Sequence, residues 1–305
     1  MKVLITGAGG NLGRVLAPLL AENGYEPLLM DYRPIETPYP FFQGDVTRQA
    51  DIRAAIRDMD VIIHAAALHG IHLENHSRDD YWALNVSGTY SIYEAAREQG
   101  VKKVLLCSTM GVYGASVRGP EHSFAVVTED LPLLPRDFYG ETKKICEDLA
   151  AFYSRNHQIR TIAYRLGMFV PENFLRYGFR LLKGGVDDRD VAQAFLLGLA
   201  NDEIDFDTFN IMSQIPFSMD ELSAWKHDPA AFLERHFPGL SELVQARGEN
   251  LEELGKMWGF TYWSVDKARR MLGYAPQYNF PQFYEALKQD NDAYYPYANL
   301  PWWGV

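Results

Sequence analysis

Three apolar residues, Val3-Leu4-Ile5, run into Gly7-Ala8-Gly9-Gly10-Asn11-Leu12-Gly13, and helical spacing begins at once with Leu12, Val15, Leu16, Leu19 and Leu20 before Gly24 closes it. A strand that turns into a helix through glycines three residues apart is compatible with few folds, because the turn needs backbone conformations and close approaches that a side chain blocks. The alternation then repeats. Leu28-Leu29-Met30, Val61-Ile62-Ile63, Val104-Leu105-Leu106 and Thr161-Ile162-Ala163-Tyr164 read as further strands, with helical stretches at 80–99 and 138–156 among the intervals. These strands lack polar alternation, so both of their faces are expected to be covered, which is the pattern of a parallel sheet between two layers of helices. The expected fold is α/β and doubly wound.

At 305 residues the chain has room for two domains. Strict alternation breaks down after Pro171 and returns once, as a helix at 189–200 and a strand at 208–211. Residues 1–166 and 188–212 are therefore assigned to the sheet domain, and 167–187 with 213–305 to a smaller C-terminal substrate domain. That second part is rich in aromatics, Pro and helix-like pieces such as 240–257 and 283–290. Its stretch Tyr294-Tyr295-Pro296-Tyr297, followed by Pro301-Trp302-Trp303, reads as a strap packed on its own domain, with a subunit contact as the alternative.

Lys and Arg number 29 against 40 Asp and Glu, a net charge of −11, which argues against capture of nucleic acid or of an anionic membrane surface. Only two cysteines, Cys107 and Cys146, occur, both in segments that read as buried, so no disulfide framework is expected. No run reaches eighteen apolar residues and the start does not resemble a signal peptide. A soluble cytoplasmic protein acting on small molecules is expected.

Candidate chemistry collects where strands end. Gly7, Gly10, Asn11, Leu12 and Gly13 open the first helix, whose free N–H groups and positive dipole end suit a pyrophosphate. Asp31 closes the second strand, where a carboxylate accepts both hydroxyls of an adenosine ribose and repels a 2′-phosphate, favouring NAD; Arg33, two residues on, keeps NADP in play. Asp45, with Val46 beside it, lies where a third strand would end and is placed for the adenine amino group. Ala65 and Ala66 follow His64 as small residues against which a cofactor can lie, and Ser108 and Thr109 bring hydroxyls to the end of a later strand. Tyr139 and Lys143, four apart at the start of a helix, share one face and can form an acid/base pair if positive charge stabilises the phenolate. Asn85 lies inside a long helix, where an amide needs a partner.

In order and spacing over about the first 170 residues, the glycine turn, Asp31, His64-Ala65-Ala66, Asn85, Ser108-Thr109 and Tyr139/Lys143 resemble the extended short-chain dehydrogenase/reductases, also called the NAD-dependent epimerase/dehydratase family. The resemblance implies a Rossmann-type fold, NAD as cofactor and, as is usual for the family, a homodimer through the helices 80–99 and 138–156. It also implies that Tyr139 is the acid/base, Lys143 lowers its pKa and holds the nicotinamide ribose, Thr109 bonds the reacting oxygen and Asn85 supports a water relay. Counting back from Val112-Tyr113-Gly114 selects Thr109 over Ser108, which is placed to assist.

Dehydratases of this family carry an Asp-Glu pair after the catalytic threonine; Met110 and Gly111 stand there instead, which argues against dehydration. Between Pro171 and Asp187 lie too few residues for a nucleotide clamp, and with Arg165-Leu166-Gly167 this segment looks more like that of the uronate dehydrogenases, which bind a sugar acid through an arginine. Arg180 is the first match to that arginine and Arg176 the second; the C-terminal region is longer than in those enzymes. The expected activity is NAD-dependent hydride transfer at a hydroxyl carbon of a small sugar or sugar acid, the alternative being an epimerase that retains NAD. His69, His72 and His76 read as a polar loop, His69 being nearest the substrate; no metal is expected.

Overall fold

Beta-sheet registers decide where the chemistry gathers. The computed structural model describes residues 1–117, 125–218, 220–257 and 261–298. Lys2–Thr6 (β1) enters Asn11–Glu22 (α1), then Glu26–Asp31 (β2), Phe41–Gln43 (β3), Gln49–Ala55 (α2) and Val61–His64 (β4). Arg78–Tyr81 (α3) runs through a π turn at Trp82–Ser87 into Gly88–Gln99 (α4), followed by Lys103–Thr109 (β5), Ala125–Val127 (β6), Phe138–His157 (α5) and Arg160–Leu166 (β7). Phe174–Arg180 (α6), Asp188–Ala200 (α7) and Phe206–Ile211 (β8) come next. The rest is helical, Leu222–His227 (α8), Pro229–His236 (α9), Leu240–Ala246 (α10), Leu251–Lys256 (α11), Asp266–Leu272 (α12) and Phe280–Lys288 (α13), except for the strand Thr261–Trp263 (β9).

Seven strands form one sheet in the order β3-β2-β1-β4-β5-β7-β8, every pair parallel, as expected of a doubly wound Rossmann-type fold. Alternate residues of each strand serve opposite faces. Val3, Ile5, Leu105, Ile162 and Tyr164 pack with α1 and α7, whereas Leu4, Ile62, Val104, Leu106 and Ala163 pack with α2, α4 and α5. Each such side chain contributes roughly 1.5–3 kcal/mol on burial, so a one-residue register slip would misplace both layers together.

A separate core joins α6 to α8–α11 and α13 through Phe179, Trp225, Phe232, Phe280 and Phe283. Most of the stretch 261–274, expected with this smaller unit, packs elsewhere, although Tyr262 lies against it. Thr261–Trp263 pairs in parallel with Ala125–Val127, and Trp263, Val265, Ala268, Leu272 and Tyr274 join the α1/α7 core. The helix-like stretch 240–257 is two helices, because Gly248 takes φ +78° and Asn250 caps the second by accepting from the Glu252 and Glu253 amides. Among the described residues no helix is long and apolar enough to cross a membrane, and Cys107 and Cys146 are buried free thiols.

Candidate active site

Strand order reverses between β1 and β4, and Thr6 lies in register with His64 there, so the turn after β1 opens beside the end of β4 at the sheet's carboxyl edge. Gly7 takes φ +67°, and a Cβ on it would lie 2.6 Å from the Ala66 Cα; one on Gly13 would lie 2.2 Å from the Ala8 carbonyl oxygen. These two glycines hold the turn against the neighbouring strand and the helix against the turn. Gly10 caps α1 without a side-chain hydrogen bond, Leu12 anchors the helix in the core, and the Asn11 Oδ1 is buried with no partner in the protein. The turn therefore fits a dinucleotide pyrophosphate: a partly exposed backbone cradle, the first amides of a helix and an unmatched polar atom.

Asp31 sits across this turn, its carboxylate accepting from the Gly9 amide at 2.9 Å and the Arg33 amide at 3.1 Å. Asp45 accepts from the Thr47 amide at 2.8 Å, and Val46 is buried against the backbone of Gly88. Ala65 and Ala66 leave β4 toward the turn, the Ala66 amide donating to Thr6 Oγ1 at 3.3 Å.

On the other side of β4, Ser108 and Thr109 end β5 and point to opposite faces. Thr109 accepts from the Gly111 amide at 3.1 Å and lies within hydrogen-bonding reach of the Tyr139 phenol. Ser108 turns under α5 and donates to Glu147 at 2.5 Å, so only Thr109 faces the tyrosine. Asp137 caps α5 by accepting from the Gly140 amide at 2.7 Å, which fixes Tyr139 in the first turn and Lys143 one turn later. Lys143 donates to the Cys107 carbonyl at 2.9 Å. Burial pushes the Tyr139 phenol above its ordinary range, the Thr109 hydrogen bond opposing it, and burial pushes the Lys143 ammonium down. Burial thus disfavours the phenolate, and positive charge near the phenol would favour it.

Asn85 sits in the π turn, not in the uninterrupted helix expected from spacing. The widened turn brings its amide to the Leu68 backbone, accepting at 2.8 Å and donating at 3.0 Å, and to Thr142 Oγ1 at 3.0 Å; Thr142 in turn donates to the Tyr139 carbonyl at 2.7 Å. The asparagine thus ties the loop after β4 to the tyrosine's own turn. That loop carries Gly70 against the Tyr139 ring and an exposed His69, whose ring centre lies 5.9 Å from that of Tyr139. Among the described residues no cluster of three or more His, Cys, Asp or Glu is placed to hold a metal ion.

The two arginines differ. Arg180, expected to await a substrate carboxylate, is fully buried and already holds one from this chain: its Nε donates to Glu172 at 2.6 Å, and its terminal nitrogens donate to the carbonyls of Met168, Val186 and Val170. Four acceptors within its own segment satisfy it, which corrects the expectation. Arg176 is exposed, and among the described residues no carboxylate pairs with it. Tyr295 stacks on Tyr177 at 3.8 Å between ring centres and donates to the Val170 carbonyl at 3.1 Å, so this part of the aromatic stretch straps residues 167–188; Pro301, Trp302 and Trp303 lie outside the described residues. Sequence reasoning missed Glu172 and Glu147; for the latter, its spacing of four from Lys143 was an available signal.

Parallel strand order, a glycine turn at the first crossover and a Tyr/Lys helix beside a hydroxyl-bearing strand end define a Rossmann-type protein of the short-chain dehydrogenase/reductase class. The model of the NAD-dependent epimerase/dehydratase family matches residues 3–175, more than half of the chain, which belongs to that family, whose cofactor is NAD. Uronate dehydrogenase of Pseudomonas putida is 31% identical over 180 residues, covering 56% of this chain and 62% of the relative. UDP-glucose 4-epimerase of Lactobacillus helveticus is 28% identical over 173 residues, 54% of this chain and 51% of the relative. The matches therefore span only about half to three-fifths of these relatives' length. Among solved structures, a short-chain dehydrogenase/reductase superfamily protein from Agrobacterium tumefaciens with bound NAD superposes with a TM-score of 0.72 at 20% identity, covering 96% of this chain and 99% of the other. Uronate dehydrogenase from Agrobacterium tumefaciens gives 0.67 at 20% identity over 94% and 88%. These likenesses establish the fold.

Proposed function

We propose that this chain is an NAD-dependent dehydrogenase that moves hydride between a hydroxyl-bearing carbon of a small sugar or sugar acid and NAD. The observation that carries the reading is the meeting of Thr109, Tyr139 and Lys143 across β4 from the glycine turn. When bound, NAD would supply the hydride acceptor and, in its oxidised form, positive charge that favours the phenolate. Tyr139 takes the hydroxyl proton, Thr109 holds the substrate oxygen, Lys143 donates to the nicotinamide ribose, and Asn85 keeps the tyrosine's turn in place for proton relay. Gly7, Gly10, Asn11, Leu12 and Gly13 hold the pyrophosphate through backbone; Asp31, Asp45, Val46, Ala65 and Ala66 line the adenosine side.

Asp31→Ala is expected to weaken NAD about tenfold or more and NADP far less, because only NAD loses a charge-assisted pair of ribose contacts. Loss of the Gly9 contact affects both cofactors, so the ratio of their dissociation constants, read by calorimetry, is the test. An unchanged ratio removes the assignment.

With Arg180 committed to Glu172, Arg176 is the remaining arginine candidate for a substrate carboxylate, and His69 is the candidate histidine, its ring centre 5.9 Å from that of Tyr139. NADH formation across aldoses, uronic acids, aldonic acids and nucleotide sugars tests the whole reading. Acids are expected to be preferred, and Arg176→Met to raise their KM by about tenfold without altering NAD affinity. An epimerase would instead interconvert a sugar without accumulating NADH; the similarity to UDP-glucose 4-epimerase keeps that outcome on the panel. Exposed Trp82 in the π turn, Tyr90 on α4 and Phe152 on α5 suit a second copy of the chain, and the free thiols suit a reducing cytosol.

A further inference from the structure

Tyr139, Lys143 and Glu147 follow one another at intervals of four along α5, so all three project from one face. The proposed chemistry uses the first two. Glu147 is 4% exposed, and a carboxylate is retained at such burial only when paired and hydrogen-bonded. Its partners come from two strands: Arg165 of β7 donates to it at 2.8 and 3.1 Å, and Ser108 of β5 donates at 2.5 Å. Arg165 is itself fixed, donating to the Tyr113 hydroxyl at 2.9 Å and the Glu129 carbonyl at 3.2 Å, while Tyr113 donates to Asn210 of β8 at 2.7 Å. This polar girder crosses three strands directly beneath the acid/base face. We propose that Glu147 is a positioning residue for the Tyr139–Lys143 pair: clamped between β5 and β7, its carboxylate holds the Lys143 ammonium, one turn away, in the charged form that grips the cofactor ribose.

The charges around Lys143 can be read element by element. β5 contributes the Cys107 carbonyl and thiol, α5 contributes the Cys146 thiol and Glu147, and β4 with its following loop contributes His64 and His69. Glu147 is the one carboxylate among them. Burial drives Lys143 toward the neutral amine, and Glu147 is among the groups that oppose it. Facing Glu147 itself are Arg165 from β7, Ser108 from β5, Tyr113 just beyond β5, and Lys143 and Cys146 on its own helix. The Ser108 hydroxyl, a catalytic candidate by sequence, thereby acquires a different job, which is to hold this carboxylate.

The inference rests on the proposed role of Lys143, so its test reads that lysine through cofactor binding and not through turnover. NADH fluorescence titrations of the full chain, repeated across about pH 6–11, should show affinity falling as Lys143 loses its proton. Lys143→Met should abolish that alkaline loss. In Glu147→Gln, which keeps the shape and one acceptor oxygen but replaces the other with a donating NH2 and removes the charge, the midpoint should move down by about one pH unit, with affinity at neutral pH within about threefold of the wild type. Glu147→Asp should return most of the shift. Should the unpaired Arg165 guanidinium prevent folding of Glu147→Gln, the double variant Glu147→Gln/Arg165→Met carries the same titration, with a smaller shift in the same direction. A midpoint that belongs to Lys143 but stays in place in the glutamine variants overturns the proposal alone. An alkaline loss that survives in Lys143→Met overturns the lysine's assigned role, and this inference with it.

Discussion

Tyr139→Phe is expected to lower kcat by about 10²–10⁴-fold while leaving the NAD dissociation constant within a few-fold, as for loss of a general acid/base whose ring remains in place. The ring itself packs beside Gly70 and His69, so phenylalanine preserves the wall of the site and removes only the hydroxyl. The Thr109 hydroxyl then loses the phenol within its reach. Because burial raises the phenol, the wild-type oxidation rate should climb with pH along a limb that Tyr139→Phe abolishes; in the reducing direction the protonated phenol is the acid and the limb reverses. Steady-state rates with whichever sugar the panel identifies decide the matter. Near-normal turnover in the phenylalanine variant would take Tyr139 out of the mechanism.

Arg180→Met is expected to lower the free energy of unfolding by about 3–5 kcal/mol, the cost of breaking a buried ion pair on one side. Methionine fills much of the volume, so the loss comes from Glu172 and from the carbonyls of Met168, Val170 and Val186, all left without their donor. Burial of the guanidinium is complete, and Glu172 is 13% exposed in its side chain, so water replaces little of what is lost. Arg176→Met, one turn earlier at the surface, should change stability by no more than about 0.5 kcal/mol. Urea unfolding midpoints of the two variants, measured together, separate an internal strut from a surface arginine. A shift for Arg180→Met as small as that for Arg176→Met would refute the strut.

Features that depend on local backbone geometry were legible from residue order. Gly7 and Gly13 announce the first crossover because only glycine tolerates the approaches of Ala66 and Ala8. Tyr139 and Lys143 announce a shared helical face, and unbroken apolar triplets announce a sheet covered twice. What escaped was set by partners far away in the chain. Arg180 looks free in sequence because Glu172 precedes it by eight positions, a spacing that neither a strand nor a helix brings together; the irregular stretch between Met168 and Asn173 does so. Ser108 looks catalytic until Glu147, 39 residues on, claims its hydroxyl. Residues 261–274 looked like part of the smaller unit because nothing local reveals that Thr261 will pair with Ala125. Asn85 was seen to need a partner, but the π turn that supplies one leaves no mark in apolar periodicity.

The Tyr295 strap has a bearing on how the molecule is made. Its hydroxyl reaches Val170 across 125 positions, and β9 joins β6 across a slightly longer span, Ala125 to Thr261, so the α1/α7 core and the core around α6 both include side chains from beyond residue 260. Loop closures of that length cost entropy before any contact rewards them, and contacts so remote in sequence slow folding. A nascent chain can therefore pair β1 with β2 and β4 early, yet neither the α1/α7 core nor the core around α6 can be completed until residues 261–295 have been synthesised.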